Sequence, residues 1–305
     1  MSKALSESGQ VQDSQILEKY TVAAIQMVSG AHWAENLTAA LRLLQQGVDQ
    51  GAKLLVLPEN WVVFAAEGYI DFARDQSLSD QVFQVLKQFC QQHGVWVCAG
   101  SVPVPPSVSQ MPNTQETTAD RAFTRCCLIS DKGEIVSAYD KLHLFDVQVS
   151  DGHGNYSESQ WFLPGQSIEV VSTPFGRIGL AICYDLRFPE MFRHMALQGA
   201  EVFLVPSAFT RVTGEAHWSV LTRARAIENL AYVVATDQGG AHTEKRETWG
   251  HTCVVDPWGR VLSELERGEG VITTEIDLAQ VRAHRAKVPV LEHGRLRIDD
   301  AELAT

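Results

Sequence analysis

Nowhere in the 305 residues do 18 apolar side chains run together, so no segment reads as a membrane-spanning helix. The chain has no CxxC pair and no disulfide-framework spacing. Its six cysteines (Cys90, Cys98, Cys126, Cys127, Cys183 and Cys253) read as reduced thiols. Residues 1–20 are polar and lack the apolar centre of a signal peptide. Lys and Arg total 25 against 37 acids, a net charge of −12, and no basic cluster stands out. That balance argues against nucleic acid or an anionic membrane as a partner. Ten histidines are scattered without an HExxH motif or zinc-ligand spacing, so no metal or other cofactor is expected. Internal repeats and low-complexity linkers are missing too. What is there, 45% hydrophobic and 20% charged, is ample for a core and points to one large α/β unit in the cytoplasm.

In chain order, a polar tail over residues 1–19 precedes an apolar strand over 20–27. A helix is predicted over 36–48, where Leu37, Ala40, Leu41, Leu44 and Val48 share a face and Gly51 suits the stop. A second buried strand, 53–57, runs into Pro58-Glu59-Asn60-Trp61. A helix over 79–93, a strand over 95–100 and a Pro-, Ser- and Thr-rich surface loop over 102–118 follow. Residues 121–129 and 133–139 form a hairpin across Asp131-Lys132-Gly133, leading straight into Asp140-Lys141-Leu142-His143. The polar stretch 148–161 reads as a long loop. Beyond it come a strand at 178–182, a helix from 191 to 198, a strand at 201–207 and a helix at 215–229. Strands at 232–236, 252–256 and 271–276 close the sheet region. The segment after Asp277 has little periodicity and reads as an extension packing on a neighbour.

The chain is organised around Cys183. Residues 178–182 are apolar without alternation, as in a strand buried on both faces, and Pro189-Glu190 opens the next helix. Cys183 therefore stands on a strand-to-helix turn, where α/β folds display a side chain at the carboxyl edge of a sheet. Position alone leaves a core thiol as the commoner meaning of such a residue. Glu59 and Lys141 also stand where elements end, and each has an ordinary alternative as a helix-start acid or a solvated charge.

Together the three suit cleavage of an amide. A thiol needs a base, and a buried carboxylate can serve. The oxyanion of the tetrahedral intermediate needs a cation or backbone donors, which Lys141 and the N–H of Tyr184 could supply. The thioester then needs a water activated by the same carboxylate. A Cys–His hydrolase with His217 or His251 as base, and a binding protein without catalysis, are the rival readings.

The segments Pro58-Glu59-Asn60, Tyr139-Asp140-Lys141-Leu142-His143-Leu144-Phe145-Asp146 and Cys183-Tyr184-Asp185-Leu186-Arg187-Phe188-Pro189-Glu190 occur in that order. In this the chain resembles the nitrilase superfamily of carbon–nitrogen hydrolases over residues 20–294, with 295–305 as a C-terminal tail. The resemblance implies a four-layer α-β-β-α sandwich, paired as a homodimer or assembled further. It implies Glu59 as general base, Lys141 as oxyanion stabiliser, Cys183 as nucleophile and Glu158, in Tyr156-Ser157-Glu158-Ser159, as the carboxylate that orients the lysine. Within the superfamily the chain resembles the Nit branch through Pro206-Ser207-Ala208-Phe209-Thr210, Thr213-Gly214-Glu215-Ala216-His217-Trp218 and Trp249-Gly250-His251. Glu244-Lys245-Arg246 leans toward its deaminated glutathione amidases rather than its ω-amidases, which act on α-ketoglutaramate. The implied substrate is a small amide, a glutathione whose γ-glutamyl amino group has become a ketone, yielding 2-oxoglutarate and cysteinylglycine. Gln148 and the 148–155 loop depart from the pattern. Such a substrate carries carboxylates, so Arg187 and Arg211 are candidates to bind it, beside Tyr184. Arg187 could equally tie down its own turn through Asp185 or Glu190.

Overall fold

A computed structural model describes residues 16–106, 121–152 and 154–296, without the side chains of Ala66 and Glu67. Most of the expected loop at 102–118, and the two end tails beyond these limits, lie outside the described residues.

Two sheets form the centre. The first is seven-stranded, in the order β15 (Gly270–Asp277), β1 (Lys19–Gln26), β2 (Leu54–Val56), β3 (Trp96–Cys98), β5 (Phe123–Ile129) and β4 (Val102–Val104), with β6 (Ile135–Asp140) paired to β5. The second is six-stranded: β14 (Val261–Leu265), β13 (Thr252–Val255), β12 (Tyr232–Thr236), β11 (Val202–Pro206), β10 (Gly176–Leu180) and β9 (Glu169–Thr173). Each has a parallel centre, β1-β2-β3 in one and β10-β11-β12 in the other, with antiparallel flanks.

The unbroken apolar strands are explained by what covers each face. Along β1 and β2, Val22, Ala24, Leu54 and Val56 join one core with Leu180, Val202 and Leu204 of the other sheet. Their neighbours Ala23, Ile25 and Leu55 face the opposite way. They pack on Leu37, Leu44, Val82 and Leu86 of α1 (Trp33–Asp49) and α3 (Gln76–His93). The second sheet is backed by Phe192 and Met195 of α4 (Pro189–Leu197) and by Trp218 and Ala226 of α5 (Arg211–Asn229). The result is helix, sheet, sheet, helix, the four-layer α-β-β-α sandwich. A short helix α2 (Ala66–Arg74) precedes α3.

Three stretches differ from their sequence reading. The start of the supposed surface loop at 102–118 is β4, a buried strand paired with β5. The supposed loop at 148–161 contains β8 (Asn155–Ser157), which pairs with β7 (Asp146–Gln148) in a two-stranded ribbon. Three-residue strands with an exposed, polar face carry too little alternation to announce themselves. The segment after Asp277 is α6 (Leu278–Lys287), capped by the Asp277 carboxylate on Ala279 N–H and seated on its own chain. Leu278 and Val281 enter the core, and Arg285 donates to the carbonyls of Leu230, Ala200 and Asn229. The helix buries only two residues, so its apolar stripe is too thin to read.

The sheets are tied at the carboxyl ends of their parallel strands. Glu59 N–H donates to Ser207 O at 3.3 Å, Thr236 Oγ1 to Leu57 O at 3.1 Å, and Met27 bridges Gln238. This seam positions the site.

Candidate active site

Glu59 follows β2 and Pro58, and its backbone is fixed from the second sheet. Its carbonyl accepts Gln238 Nε2 at 3.0 Å, and Gln238 is itself held by Ser29. The next residue, Asn60, sits at φ 54, with its N–H on Ser101 Oγ. Gly100 packs under this turn at φ +62; a Cβ there would fall 2.1 Å from the Pro58 carbonyl oxygen, so only glycine fits.

Lys141 leaves β6 with its N–H on Thr124 O and its carbonyl accepting Gly165 N–H. Its ammonium is 2.7 Å from Glu59 Oε1 and 2.9 Å from both oxygens of Glu158. Glu158 is delivered by the β7–β8 ribbon, in a 3-10 turn of residues Glu158–Gln160, and accepts Phe145 N–H. Lys141 is 2% exposed and Glu59 also 2%. Burial opposes the ammonium charge, but Glu158 and Glu59 outweigh it and hold Lys141 well above the usual lysine range. Burial pushes the Glu158 carboxyl up; Lys141 draws it back, and Glu59 adds to the rise.

Cys183 begins a 3-10 turn (Cys183–Arg187) at φ 47, a left-handed conformation costing a non-glycine residue about 1–3 kcal/mol. The Asp185 carboxyl supports it. One oxygen accepts Ile182 N–H at 2.8 Å and Tyr139 O–H at 2.6 Å, and the other accepts His143 N–H at 3.1 Å. His143 Nδ1 lies 2.7 Å from it as well. Tyr139 O–H also accepts Leu142 N–H, so one fully buried acid locks the cysteine turn to both sides of Lys141. Burial pushes the Cys183 thiol well above the ordinary thiol range, Glu59 adds to the rise and Lys141 offsets part of it.

These four side chains line a cavity of about 220 Å³. Tyr184, Phe145, Phe209 and Trp161 form apolar walls, and two guanidiniums, Arg187 and Arg246, complete it. Arg187 lies over the rings of Tyr184 and Phe209 and contacts His217 Nδ1 at 3.2 Å; it pairs with neither Asp185 nor Glu190. The wall at Phe209 is set by Asp237, a buried carboxyl accepting the N–H groups of Phe209, Gln238 and Gly250. Burial raises its pKa well above the usual carboxylate range.

Of the residues singled out in the sequence, Glu59, Lys141, Cys183, Glu158, Tyr184 and Arg187 converge on this cavity. Arg211 does not: it lies half exposed at the start of α5, paired with Glu247 at 3.4 Å. Its place at the helix start turns the side chain to the outer rim, which loop sequence alone did not indicate. His217 and His251 do not line the cavity, and His251 is engaged by Glu264 at 2.7 Å. Asp185, Asp237 and Arg246 were missed. Asp185 lay within a quoted motif, whereas Asp237 had no local signal.

Residues 21–286 match the family described as carbon-nitrogen hydrolase. The deaminated glutathione amidase of Yersinia enterocolitica is 37% identical over 279 residues, covering 92% of this chain and 94% of its own. The human deaminated glutathione amidase is 38% identical over 276 residues, covering 90% and 82%. Among solved structures, the C. elegans NitFhit protein superposes with a TM-score of 0.81 at 33% identity, over 92% of this chain and 66% of that one. Saccharomyces cerevisiae Nit3, a member of branch 10 of the nitrilase superfamily, gives 0.79 at 26% identity, over 93% and 100%. The chain thus belongs to the carbon-nitrogen hydrolase family and is a hydrolytic enzyme of the amidase kind.

Proposed function

We propose that the protein hydrolyses deaminated glutathione to 2-oxoglutarate and cysteinylglycine, with Cys183 as nucleophile, Glu59 as base, Lys141 as oxyanion stabiliser and Glu158 holding the lysine. The observation that carries the reading is the buried Glu59–Lys141–Glu158 cluster lining one cavity with Cys183. Because burial favours the neutral thiol, the proton of Cys183 passes to Glu59 as the sulfur attacks the amide carbon. The new S–C bond places negative charge on the carbonyl oxygen. An ammonium has three N–H groups. One meets Glu59, and the equal distances to Glu158 suit one shared donor, which leaves one N–H for that oxygen. Collapse breaks the C–N bond while Glu59 returns the proton to the departing amine. Water, deprotonated by Glu59, then cleaves the thioester and restores the thiol.

The substrate assignment draws on the relatives' names and on the two cavity guanidiniums, which suit a molecule with carboxylates. A paired assay on deaminated glutathione and α-ketoglutaramate tests it. Preference for the second at equal enzyme would move the protein to ω-amidase chemistry and leave the mechanism standing.

We also read the chain as a cytoplasmic homodimer. Six free thiols suit a reducing compartment. Val220 and Ile227, seven positions apart on α5, and Trp258 are large apolar side chains left exposed, at 66%, 46% and 51%. Light scattering of wild type and Val220→Glu checks the pairing; a wild-type monomer would refute it. Among the described residues no helix is long and apolar enough to cross a membrane.

A further inference from the structure

Arg246 stands at the tip of a tight return between Ala241 and Glu247, which form an isolated bridge. Thr243 Oγ1 accepts the N–H groups of Lys245 at 3.3 Å and Arg246 at 3.0 Å, and the Arg246 carbonyl accepts His242 N–H at 2.9 Å. The ring of His242 is pinned by Ser29 O at 2.7 Å and Thr248 Oγ1 at 2.8 Å, and it stacks on Phe64 at 3.7 Å. The backbone and its aromatic support therefore fix where the arginine points.

The guanidinium lies over the Tyr156 ring at 4.6 Å and over Phe64 at 5.5 Å. Both rings line the cavity with it. Its Nη1 is buried without a hydrogen-bond partner, and Arg246 forms no ion pair among the described residues. Glu247, the neighbouring acid, is taken by Arg211 and Arg267. A buried N–H of a cation without an acceptor is costly, and an anion repays that cost best. Among the cations of the cavity, Lys141 is paired with two carboxylates and Arg187 is shared with His217.

Resting on the substrate reading above, we infer that Arg246 is a specificity-determining residue that grips a carboxylate of the substrate between the rings of Phe64 and Tyr156. The chemistry required is a planar anion presented to a stacked guanidinium. Either carboxylate of the substrate meets it, the one on the acyl side or the one on the departing amine.

The test is steady-state kinetics of wild type, Arg246→Gln and Arg246→Lys on four amides. These are deaminated glutathione, α-ketoglutaramate with its carboxylate on the acyl side, N-butanoyl-cysteinylglycine with one on the amine side, and butanamide with none. Arg246→Gln should lower kcat/KM on deaminated glutathione about 100-fold, chiefly through KM, and equally on the one singly charged amide whose carboxylate it holds. Butanamide turnover should change less than roughly threefold, and Arg246→Lys should recover part of the loss. Equal losses on all four amides would show a merely structural role and overturn the assignment. A wild-type preference for charged amides that persists in both variants would overturn it too, leaving the substrate reading intact. A wild type that handles butanamide as well as the charged amides would refute the substrate reading itself, and this assignment with it.

Discussion

The two charged walls of the cavity are built on opposite terms. On the inner wall Lys141 is enclosed by Glu59 and Glu158, with three contacts of 2.7–2.9 Å and almost no exposure. On the outer wall Arg246 and Arg187 rest on aromatic rings without a carboxylate partner among the described residues. A paired charge inside the protein is held in geometry and in protonation, which suits proton transfer and oxyanion binding. A guanidinium stacked on rings without a carboxylate keeps part of its donor set for an anion that arrives, as the unpartnered Arg246 Nη1 does. In the proposed mechanism the inner wall does the chemistry and the outer wall chooses what is brought to it.

The sharpest break in that contrast comes from the inner wall. Cys183→Ala and Lys141→Met should each lower kcat by about 10⁴-fold or more on charged and neutral amides alike, measured by amine release. Arg246→Gln should discriminate between those amides. A loss from Lys141→Met confined to charged amides would erase the distinction between the walls.

Next is Asp185, which binds the cysteine turn to the Lys141 segment. Asp185→Ala leaves buried donors unmet, each costing about 1–3 kcal/mol, so the denaturation midpoint should fall clearly. Asp185→Asn, which keeps one acceptor oxygen, should retain more stability but lower kcat by about 10–100-fold, since the turn loses its lock. Activity unchanged in both variants would mean that Cys183 is held without it.

His242 offers a pH test of the outer wall. Burial lowers its pKa from 6.5 to about 4, so the folded state keeps it neutral while the unfolded chain takes up a proton below 6.5. Its contribution is complete above pH 6.5 and is lost as pH falls toward 4, by up to about 3 kcal/mol. Denaturant titrations at pH 7 and pH 4.5 should show a smaller difference for His242→Gln than for wild type. The smallest effect belongs to Arg211→Ala: its exposed pair with Glu247 is worth about 0–1 kcal/mol, and kcat/KM should stay within about twofold.

Much of the inner wall was legible because its residues end runs of strong pattern. Glu59 follows an apolar strand, Cys183 follows another and precedes Pro189, and Lys141 leaves a hairpin. Glu158 was placed by resemblance, since the ribbon that carries it is too short to show periodicity. Arg211 was sought at the cavity because the sequence located its loop but not the direction of its side chain.

By itself, then, the sequence determined the alternation of strands and helices, the polar residues at strand ends and the family likeness. These depend on neighbours a few positions apart, where apolar periodicity and turn chemistry act. Only the tertiary structure decided that Asp185 would clamp Tyr139 and His143, more than 40 positions away, that Gln238 would hold Glu59, and that Arg246 would lie between Phe64 and Tyr156. Those contacts join residues far apart in the chain, and what brings them together is the packing of two sheets across a shared core, which no local pattern encodes.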